Sequence, residues 1–347
     1  MLKEPKYLLV GGSNCIIEAG FGARLQASLP GAWTNRSLGH SSSLRGADYL
    51  FSHEHEVAAA DVVVFEYGLN DLIFESSNTL DPGAHLGWLS ALARWPALAG
   101  KLVFVLLQGK AAMGRVASKH SFVIDNYRRV VRECGVRCVD LVPLIEKSAS
   151  ARGAAQVFVD NDHFSEGMIQ RLVSNAADAL GKWEVADPAA RQSASKQRWS
   201  TATACVDPVT ATQNFDVERV EFSTSLLSMT LVELGDRSRI ALRSPGGWLV
   251  GLYALSAPDA GFVHISHHSR QMVKTLRHRS NYGKPYLALR HLTSPIPTDA
   301  DDELVIRAAS DAYSTPRAPL DHTHAQVVNG TGGKITIGPF VFLPYSS

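Results

Sequence analysis

The sequence predicts two domains of different class, a parallel α/β domain followed by an all-β domain. Residues 6–183 alternate short apolar runs with segments of helical spacing, the pattern that the crossover units of a parallel sheet produce. Residues 204–347 contain many short, often alternating runs separated by Gly, Pro, Asp and Ser, which indicates an antiparallel sandwich or jelly roll. The length of 347 residues exceeds what one core usually spans, so two domains are expected.

Apolar runs and amphipathic segments give the elements of the first domain. Strands are expected at Tyr7–Val10, Trp33–Ser37, Asp61–Glu66, Lys101–Leu107, Val136–Val139 and Gln156–Val159. Helices are expected at Cys15–Ser28, His85–Leu98, Ser121–Cys134 and Ser165–Leu180. Because helices separate the strands, the sheet is expected to be parallel and covered on both faces.

A polar segment separates the two domains. Residues 184–203 are small and polar and lack a sustained apolar stripe, which indicates a linker or an exposed connecting helix between domains of residues 1–183 and 204–347. The strands expected beyond it are Val217–Phe222, Ser228–Leu234, Arg239–Leu242, Trp248–Leu255, Phe262–Ser266, Tyr286–Leu292, Glu303–Ala308 and Lys334–Leu343.

The composition is that of a folded, soluble protein. Apolar residues make up 45% and charged residues 19% of the chain, and the net charge of +1 gives no general attraction to nucleic acid or to an anionic membrane.

The four cysteines lack C-x-x-C spacing, so reduced thiols are expected. No cationic leader precedes the first strand and no run approaches the ~20 apolar residues of a membrane span, which favours a cytoplasmic protein. The oligomeric state is not indicated.

Polar residues with catalytic potential directly follow three of the predicted strands. Ser13 follows the first strand, Asn70 follows the third, and Asp160 and His163 follow the sixth. The carboxyl ends of parallel strands share one edge of the sheet, so these residues are expected to meet. A serine hydroxyl needs a neighbouring base, and the base needs a carboxylate to hold its tautomer. Ser13, His163 and Asp160 are therefore the candidate nucleophile, base and orienting acid.

An acyl-transfer reaction also needs donors for the oxyanion, each worth about 10²- to 10³-fold in rate. Three donors are expected at the same edge: the backbone N–H of Ser13, the backbone N–H of Gly39 and the side-chain amide of Asn70. These residues are the candidate oxyanion hole.

At these positions the chain resembles the SGNH/GDSL hydrolase superfamily. The resemblance covers about residues 6–183 and rests on Gly11-Gly12-Ser13-Asn14, Gly39, Gly68-Leu69-Asn70-Asp71 and Asp160-Asn161-Asp162-His163. It implies a flavodoxin-like three-layer α/β/α fold and metal-independent hydrolysis or transfer of acyl groups, commonly acetyl esters on carbohydrates, with no cofactor. Gly12 departs from the commoner pattern, which has an aspartate there. The glycine that follows the histidine, Gly167, is one position closer to it than in that pattern.

Each of these residues also has a purely structural interpretation. Ser13 could cap the first helix, and Asp160 could cap the last one while His163 faces solvent. Asn70 and Asp71 could form an ordinary turn.

Further polar clusters contain residue types that can bind a metal or an anion. The segments His53-Glu54-His55 and Asp321-His322-Thr323-His324 carry metal-ligand residue types but lack a clear third and fourth ligand, and His264, His267 and His268 are interpreted as a polar strand face, so no metal is expected. Arg270, Lys274, Arg277 and Arg279 occur without an intervening acid. They could bind an anionic glycan, a phosphate or a coenzyme A tail, or form a solvated charged face.

The sequence thus favours a serine esterase that removes O-acetyl or similar short acyl groups from a carbohydrate, with a small-molecule or glycan ester as substrate. Two alternatives stay open. One is an O-acetyltransferase of polysaccharide biosynthesis that uses the same triad, and the other is a catalytically silent glycan-binding protein.

Overall fold

The chain divides into two compact units, which are described in turn. The structure is a computed structural model that describes residues 4–39, 41–113, 121–182, 204–206, 218–223, 228–235, 238–257, 260–268, 270–276, 286–309, 320–321 and 334–343. One unit comprises Met1–Ser76 and His85–Thr201, and the other comprises Ser77–Ala84 and Ala202–Ser347. Residues 77–84, which the sequence division assigns to the first domain, thus group with the second unit. The predicted linker at residues 184–203 lies outside the described residues.

A five-stranded parallel sheet forms the centre of the first unit. Its strands are β1 (Lys6–Gly11), β2 (Ala32–Asn35), β3 (Val62–Glu66), β4 (Leu102–Leu106) and β5 (Arg137–Asp140). They are arranged in the order β2-β1-β3-β4-β5, and all neighbouring pairs are parallel. This is the strand order of flavodoxin-like sheets, in which the chain adds β2 on one side of β1 and the later strands on the other, which leaves a crevice at the carboxyl ends of β1 and β3. The predicted parallel α/β domain is confirmed.

Helices connect these strands. They are Phe21–Ser28, Ser43–Ser52, Glu54–Ala59, Gly68–Ser76, Pro82–Arg94, Phe122–Cys134, Val142–Arg152, Ala154–Val157 and Glu166–Gly181, with short 3-10 turns at Ser13–Cys15, Pro96–Leu98 and Lys110–Ala112. The helix Phe122–Cys134 shows how local sequence sets its ends: the Ser121 hydroxyl accepts a hydrogen bond from the Ile124 N–H, and Gly135 ends the helix at a φ of +66°.

Two predicted elements of this unit are wrong in part. The helix expected at Cys15–Ser28 begins at Phe21, because Ser13–Cys15 forms a separate 3-10 turn. The strand expected at Gln156–Val159 is replaced by the helical turn Ala154–Val157, since alanine and glutamine favour helix once Gly153 has turned the chain at a φ of +83°.

The sheet is buried on both faces, as its apolar runs predict. Every residue of β3 and β4 is buried, and Leu9, Val64 and Val105 are completely enclosed in the core that underlies the helix Glu166–Gly181. Each such side chain contributes about 1.5–3 kcal/mol of transfer free energy. The buried core fixes the positions of the strand ends, and therefore of the loops that follow the strands.

The second unit contains a mainly antiparallel sheet, which confirms the predicted all-β domain. Its strands are β6 (Ala204–Val206), β7 (Glu218–Ser223), β8 (Ser228–Leu234), β9 (Arg239–Ser256), β10 (Phe262–His267), β11 (Arg270–Thr275), β12 (Tyr286–Ala309), β13 (Leu320–Asp321) and β14 (Ile335–Leu343). The order is β13-β11-β10-β12-β9-β14-β8-β7, with β6 paired to β14.

The longest strands differ from the sequence prediction. The segments Arg239–Leu242 and Trp248–Leu255 join into the single strand β9, and Tyr286–Leu292 and Glu303–Ala308 join into β12. Glycines in β9 at φ values of +86° and +110° and bulges in β12 bend the chain without ending its pairing. Among the helices of the described ranges, none has the length and apolar character required to cross a membrane.

Candidate active site

Ser13 lies where β1 ends and a single 3-10 turn begins. Its neighbours Asn14 and Cys15 are buried, whereas Ser13 itself is partly exposed. The Gly12 N–H donates to the Glu66 carbonyl at 2.8 Å, which fixes this turn to the end of β3. The tight turn thus presents a serine side chain at the carboxyl edge of the sheet, although not at the start of a long helix as expected.

Gly39 and Asn70 both lie close to this turn. A methyl group added to Gly39 would lie 3.6 Å from the Ser13 Cβ, and one added to Gly12 would lie 2.8 Å from the Asn70 Cγ. The Asn70 Nδ2 donates one hydrogen bond to the Ser41 carbonyl at 2.8 Å. Because an amide nitrogen carries two hydrogens, the second remains for a ligand.

The closeness of Gly12 to the Asn70 amide explains why this chain has a glycine where the commoner motif has an aspartate. Any Cβ at this position would collide with the Asn70 side-chain amide, whose oxygen is even closer to it than the Cγ. Asn70 is only 5% exposed and is held by Ser41, so it has little room to move away. In this chain a glycine before the serine is what allows the amide to lie against the turn.

Asp160 and His163 form a hydrogen-bonded pair in the loop that precedes the helix Glu166–Gly181. The His163 Nδ1 donates to the Asp160 Oδ2 at 2.7 Å, and the Asp160 Oδ1 accepts from the backbone N–H groups of Asp162 and His163. Burial alone would raise the pKa of Asp160, but these hydrogen bonds outweigh it and the pKa is lowered. An ionised Asp160 keeps the imidazole proton on Nδ1 and leaves Nε2 as the basic nitrogen.

The His163 loop is tied to the Ser13 turn by a buried side chain. The Asn14 Nδ2 donates to the Asp162 carbonyl at 3.0 Å, and the Lys110 N–H, which follows β4, donates to the Asn161 carbonyl at 2.8 Å. Within the loop, the Val159 N–H donates to the His163 carbonyl. The structure records no hydrogen bond between the Ser13 hydroxyl and the His163 ring, although it describes both residues. Such bonds are often long before substrate binds.

Sequence reasoning missed Asn14 and Glu66 as parts of this region. In the sequence Asn14 is one letter of a motif, and no residue pattern around it indicates that its side chain is buried and bonded to the His163 loop. Glu66 ends the otherwise apolar run of β3, and an acidic residue at the end of a buried strand is the sequence feature that could have drawn attention to it. Its carboxyl group is fully buried, accepts from the Cys15 Sγ at 3.5 Å, and has its pKa raised to about 8 by burial.

Asp71 belongs to a separate buried network rather than to an exposed turn. Its carboxylate accepts hydrogen bonds from the Ser43 N–H at 2.8 Å, the Tyr127 hydroxyl at 3.0 Å and the His85 Nε2 at 3.1 Å. Asp71 and His85 are both completely enclosed. This network joins three other helices to the residue that follows Asn70 and so holds the start of the helix Gly68–Ser76.

The basic residues singled out in the second unit do not form one exposed face. Arg270 is exposed, whereas Lys274 is completely buried and donates to the His291 carbonyl at 2.7 Å. Lys274 is thus engaged by the fold, which leaves Arg270 as the described member that solvent can reach. Arg277 and Arg279 lie outside the described residues.

Comparisons with known proteins find likenesses of structure but none of sequence. No protein-family model matches the chain, and the search of curated proteins finds no match. A two-domain esterase active on acetylated mannans, crystallised with mannopentaose, is similar with a TM-score of 0.59 at 12% identity, covering 99% of this chain and 91% of that one.

Two further solved structures match about half of the chain. An α/β hydrolase from the metagenome of Lake Arreo, Spain, has a TM-score of 0.46 at 16% identity and covers 53% of this chain and 98% of that one. An acetyl xylan esterase has a TM-score of 0.42 at 14% identity and covers 50% and 99%. The likeness to the two-domain esterase confirms the predicted fold class over both domains.

Proposed function

We propose that this protein is a serine esterase that removes acetyl or similar short acyl groups from a carbohydrate. The observation that carries the proposal is the junction of three sheet-edge loops: Ser13 lies against Gly39, and the loop of His163 and Asp160 is joined to the Ser13 turn through Asn14. The two-domain esterase with the same fold acts on acetylated mannans, which supports an acetylated polysaccharide as the substrate class.

The groups of the site can carry out acyl transfer without a metal or cofactor. The Ser13 Oγ would attack the ester carbonyl carbon while His163 Nε2 takes the hydroxyl proton, and Asp160 would stabilise the resulting imidazolium. When the tetrahedral intermediate collapses, the C–O bond to the sugar breaks and His163 returns the proton to the leaving alcohol. A water molecule, deprotonated by the same imidazole, then releases the acid and restores Ser13.

The negative charge that develops on the carbonyl oxygen meets three donors. These are the N–H groups of Ser13 and Gly39, neither of which donates a recorded hydrogen bond to another described residue, and the second amide hydrogen of Asn70. Each such donor is worth about 10²- to 10³-fold in rate.

Apolar side chains next to the polar groups favour a short acyl group or the C–H face of a sugar. Ile16 is 45% exposed although it follows the buried Cys15, and Val159, which precedes Asp160, is 70% exposed. The exposed Ile16 side chain, three residues after Ser13, lowers the cost of placing the methyl group of an acetyl ester there.

The proposal is tested by combining turnover with covalent labelling. We expect the wild-type protein to hydrolyse 4-nitrophenyl acetate and to release acetate from acetylated mannan, and a fluorophosphonate to label Ser13. Ser13→Ala is expected to abolish turnover and labelling, whereas Ser28→Ala, which removes a hydroxyl from the surface of the helix Phe21–Ser28, should change neither.

The outcomes distinguish the esterase from its alternatives. Equal turnover by wild type and Ser13→Ala, or labelling at a different serine, would contradict the assignment. Transfer of the acetyl group to an added sugar in preference to water would instead indicate an O-acetyltransferase. Glycan binding without turnover or labelling would indicate a silent binding protein.

A further inference from the structure

The second unit contains a cluster of two imidazoles and a carboxylate. His267 ends β10, His268 follows it in the turn to β11, and Asp302 lies in a bulge of β12. The His267 Nε2 is 2.8 Å from the Asp302 Oδ2, and the His268 Nε2 is 3.5 Å from the Asp302 Oδ1. The three donor atoms lie within 4.8 Å of one another. We propose that this cluster binds a transition-metal dication of the zinc type.

The cluster is built into the fold rather than assembled from freely moving surface side chains. The His267 side chain is only 6% exposed, and the Asp302 side chain is 18% exposed. The Asp299 N–H donates to the Asp302 Oδ2 at 2.7 Å and so holds the carboxylate in place. Two ligands are therefore oriented in advance, and His268, with its side chain 71% exposed, completes the set from the solvent side.

The ligand types and spacings suit zinc better than calcium or magnesium. Zinc binds imidazole nitrogen and carboxylate oxygen at about 2.0–2.2 Å, which places tetrahedral ligands about 3.3 Å apart. The 2.8 Å separation from His267 is a hydrogen bond that a zinc ion would replace, and the 3.5 Å separation from His268 to the other oxygen of the same carboxylate is close to this value. Calcium and magnesium prefer sets made mainly of oxygen ligands, and this cluster offers two nitrogens for one carboxylate.

The charge around the cluster favours a cation over an anion. The cluster lines a surface cavity of about 270 Å³ that Asp299 and Arg270 also line. Two carboxylates and one guanidinium leave a net negative charge when the imidazoles are neutral. The charge of Arg270 disfavours binding of a cation and the charge of Asp299 favours it, so removing either charge should change the affinity in a known direction.

The test is a calorimetric titration of the full-length, tag-free protein with Zn²⁺ alone. We expect one saturable Zn²⁺ site per chain. His268→Gln should weaken it about tenfold or more while leaving the pair of His267 and Asp302 intact, and Asp302→Asn should weaken it further. The matched control is His55→Gln, which removes an exposed histidine of the first unit, and it should leave the affinity unchanged.

Arg270→Gln provides a test of opposite sign. It should strengthen Zn²⁺ binding, because it removes a positive charge from the cavity. The absence of a saturable site, an unchanged affinity in His268→Gln, or weaker Zn²⁺ binding in Arg270→Gln would each overturn the proposal. Melting temperatures measured without metal show whether a variant is folded. None of these readouts depends on turnover at Ser13.

Discussion

The burial of Glu66 predicts how strongly the stability of the protein depends on pH. The carboxyl group lies at the end of β3 beneath the Ser13 turn, completely enclosed, with the Cys15 thiol as its side-chain partner at 3.5 Å. Burial raises its pKa from the ordinary value of 4.5 to about 8. The folded protein therefore keeps a proton on Glu66 at pH 7, whereas the unfolded chain loses it above about pH 4.5.

The sign and size of the effect on stability follow from linkage. Between pH 4.5 and pH 8 the folded state binds one proton more than the unfolded state, so stability falls as the pH rises. Each pH unit within this window costs about 1.4 kcal/mol, which amounts to about 4 kcal/mol between pH 5 and pH 8. The contribution is fully present below pH 4.5 and is lost as the pH passes through 8.

Glu66→Gln removes the ionisation but keeps the size and the hydrogen-bonding groups. We expect the free energy of unfolding of this variant, relative to wild type, to rise by about 4 kcal/mol from pH 5 to pH 8. Native-state hydrogen exchange at the amides of β1 and β3 measures the stability of the first unit by itself. The infrared band of a buried protonated carboxyl group should be present in wild type at pH 6 and missing in the variant.

A matched control and a contrary result complete this experiment. Glu54→Gln removes an exposed carboxyl group from the helix Glu54–Ala59 and controls for the loss of one acid. Parallel stability curves for wild type and Glu66→Gln across this pH range would refute the reasoning, as would an infrared spectrum in which Glu66 is ionised at pH 6.

Three other substitutions test the site and its support. Gly12→Ala should lower kcat about 10²- to 10³-fold by displacing the Asn70 amide, and an unchanged kcat would show that the Gly12 contact is unimportant. Gly39→Ala, whose methyl group would make ordinary contacts beginning at 3.5 Å, should have a much smaller effect. Asp160→Asn should lower kcat about 10²- to 10⁴-fold with little change in melting temperature, because an amide no longer fixes the imidazole tautomer, and full activity in the esterase assay would contradict the triad. Asp71→Asn should lower the free energy of unfolding by about 2–4 kcal/mol, since one amide oxygen replaces a carboxylate that accepts three hydrogen bonds, and an unchanged urea midpoint would contradict this.

The parallel sheet could be predicted because its strands are continuous apolar runs bounded by helical segments. The helices Ser43–Ser52 and Gly68–Ser76 were not predicted, because each begins within a polar motif that is typical of loops. In the former, residues 43–50 are all buried, including the charged Arg45 and Asp48, so the helix lacks the usual pattern of buried apolar and exposed polar positions. Strand β11 was missed for a related reason: its charged residues indicate a loop, yet Lys274 is buried within the sheet.

The polar groups of the site could be predicted in part. The order of the motifs and the shared sheet edge were sufficient to bring Ser13, Gly39 and Asn70 near one another. The contact between Gly12 and the Asn70 amide was not predictable, because it depends on the distance between β1 and β3 and not on residue type. The proposed metal cluster combines a strand end, a turn and a bulge of another strand, a combination that spacing along the chain does not indicate.

The hydrogen bond from the Asn14 side chain to the Asp162 carbonyl has a mechanical consequence. It joins the loop of His163, the proposed general base, to the residue that follows Ser13, the proposed nucleophile, so a displacement of either segment is expected to move the other. Distortions arising elsewhere in the domain should therefore be shared by both groups instead of separating them. Together with the Lys110 N–H, which holds the neighbouring Asn161 carbonyl, this bond makes the relative position of the two proposed catalytic groups depend on contacts within their own two loops.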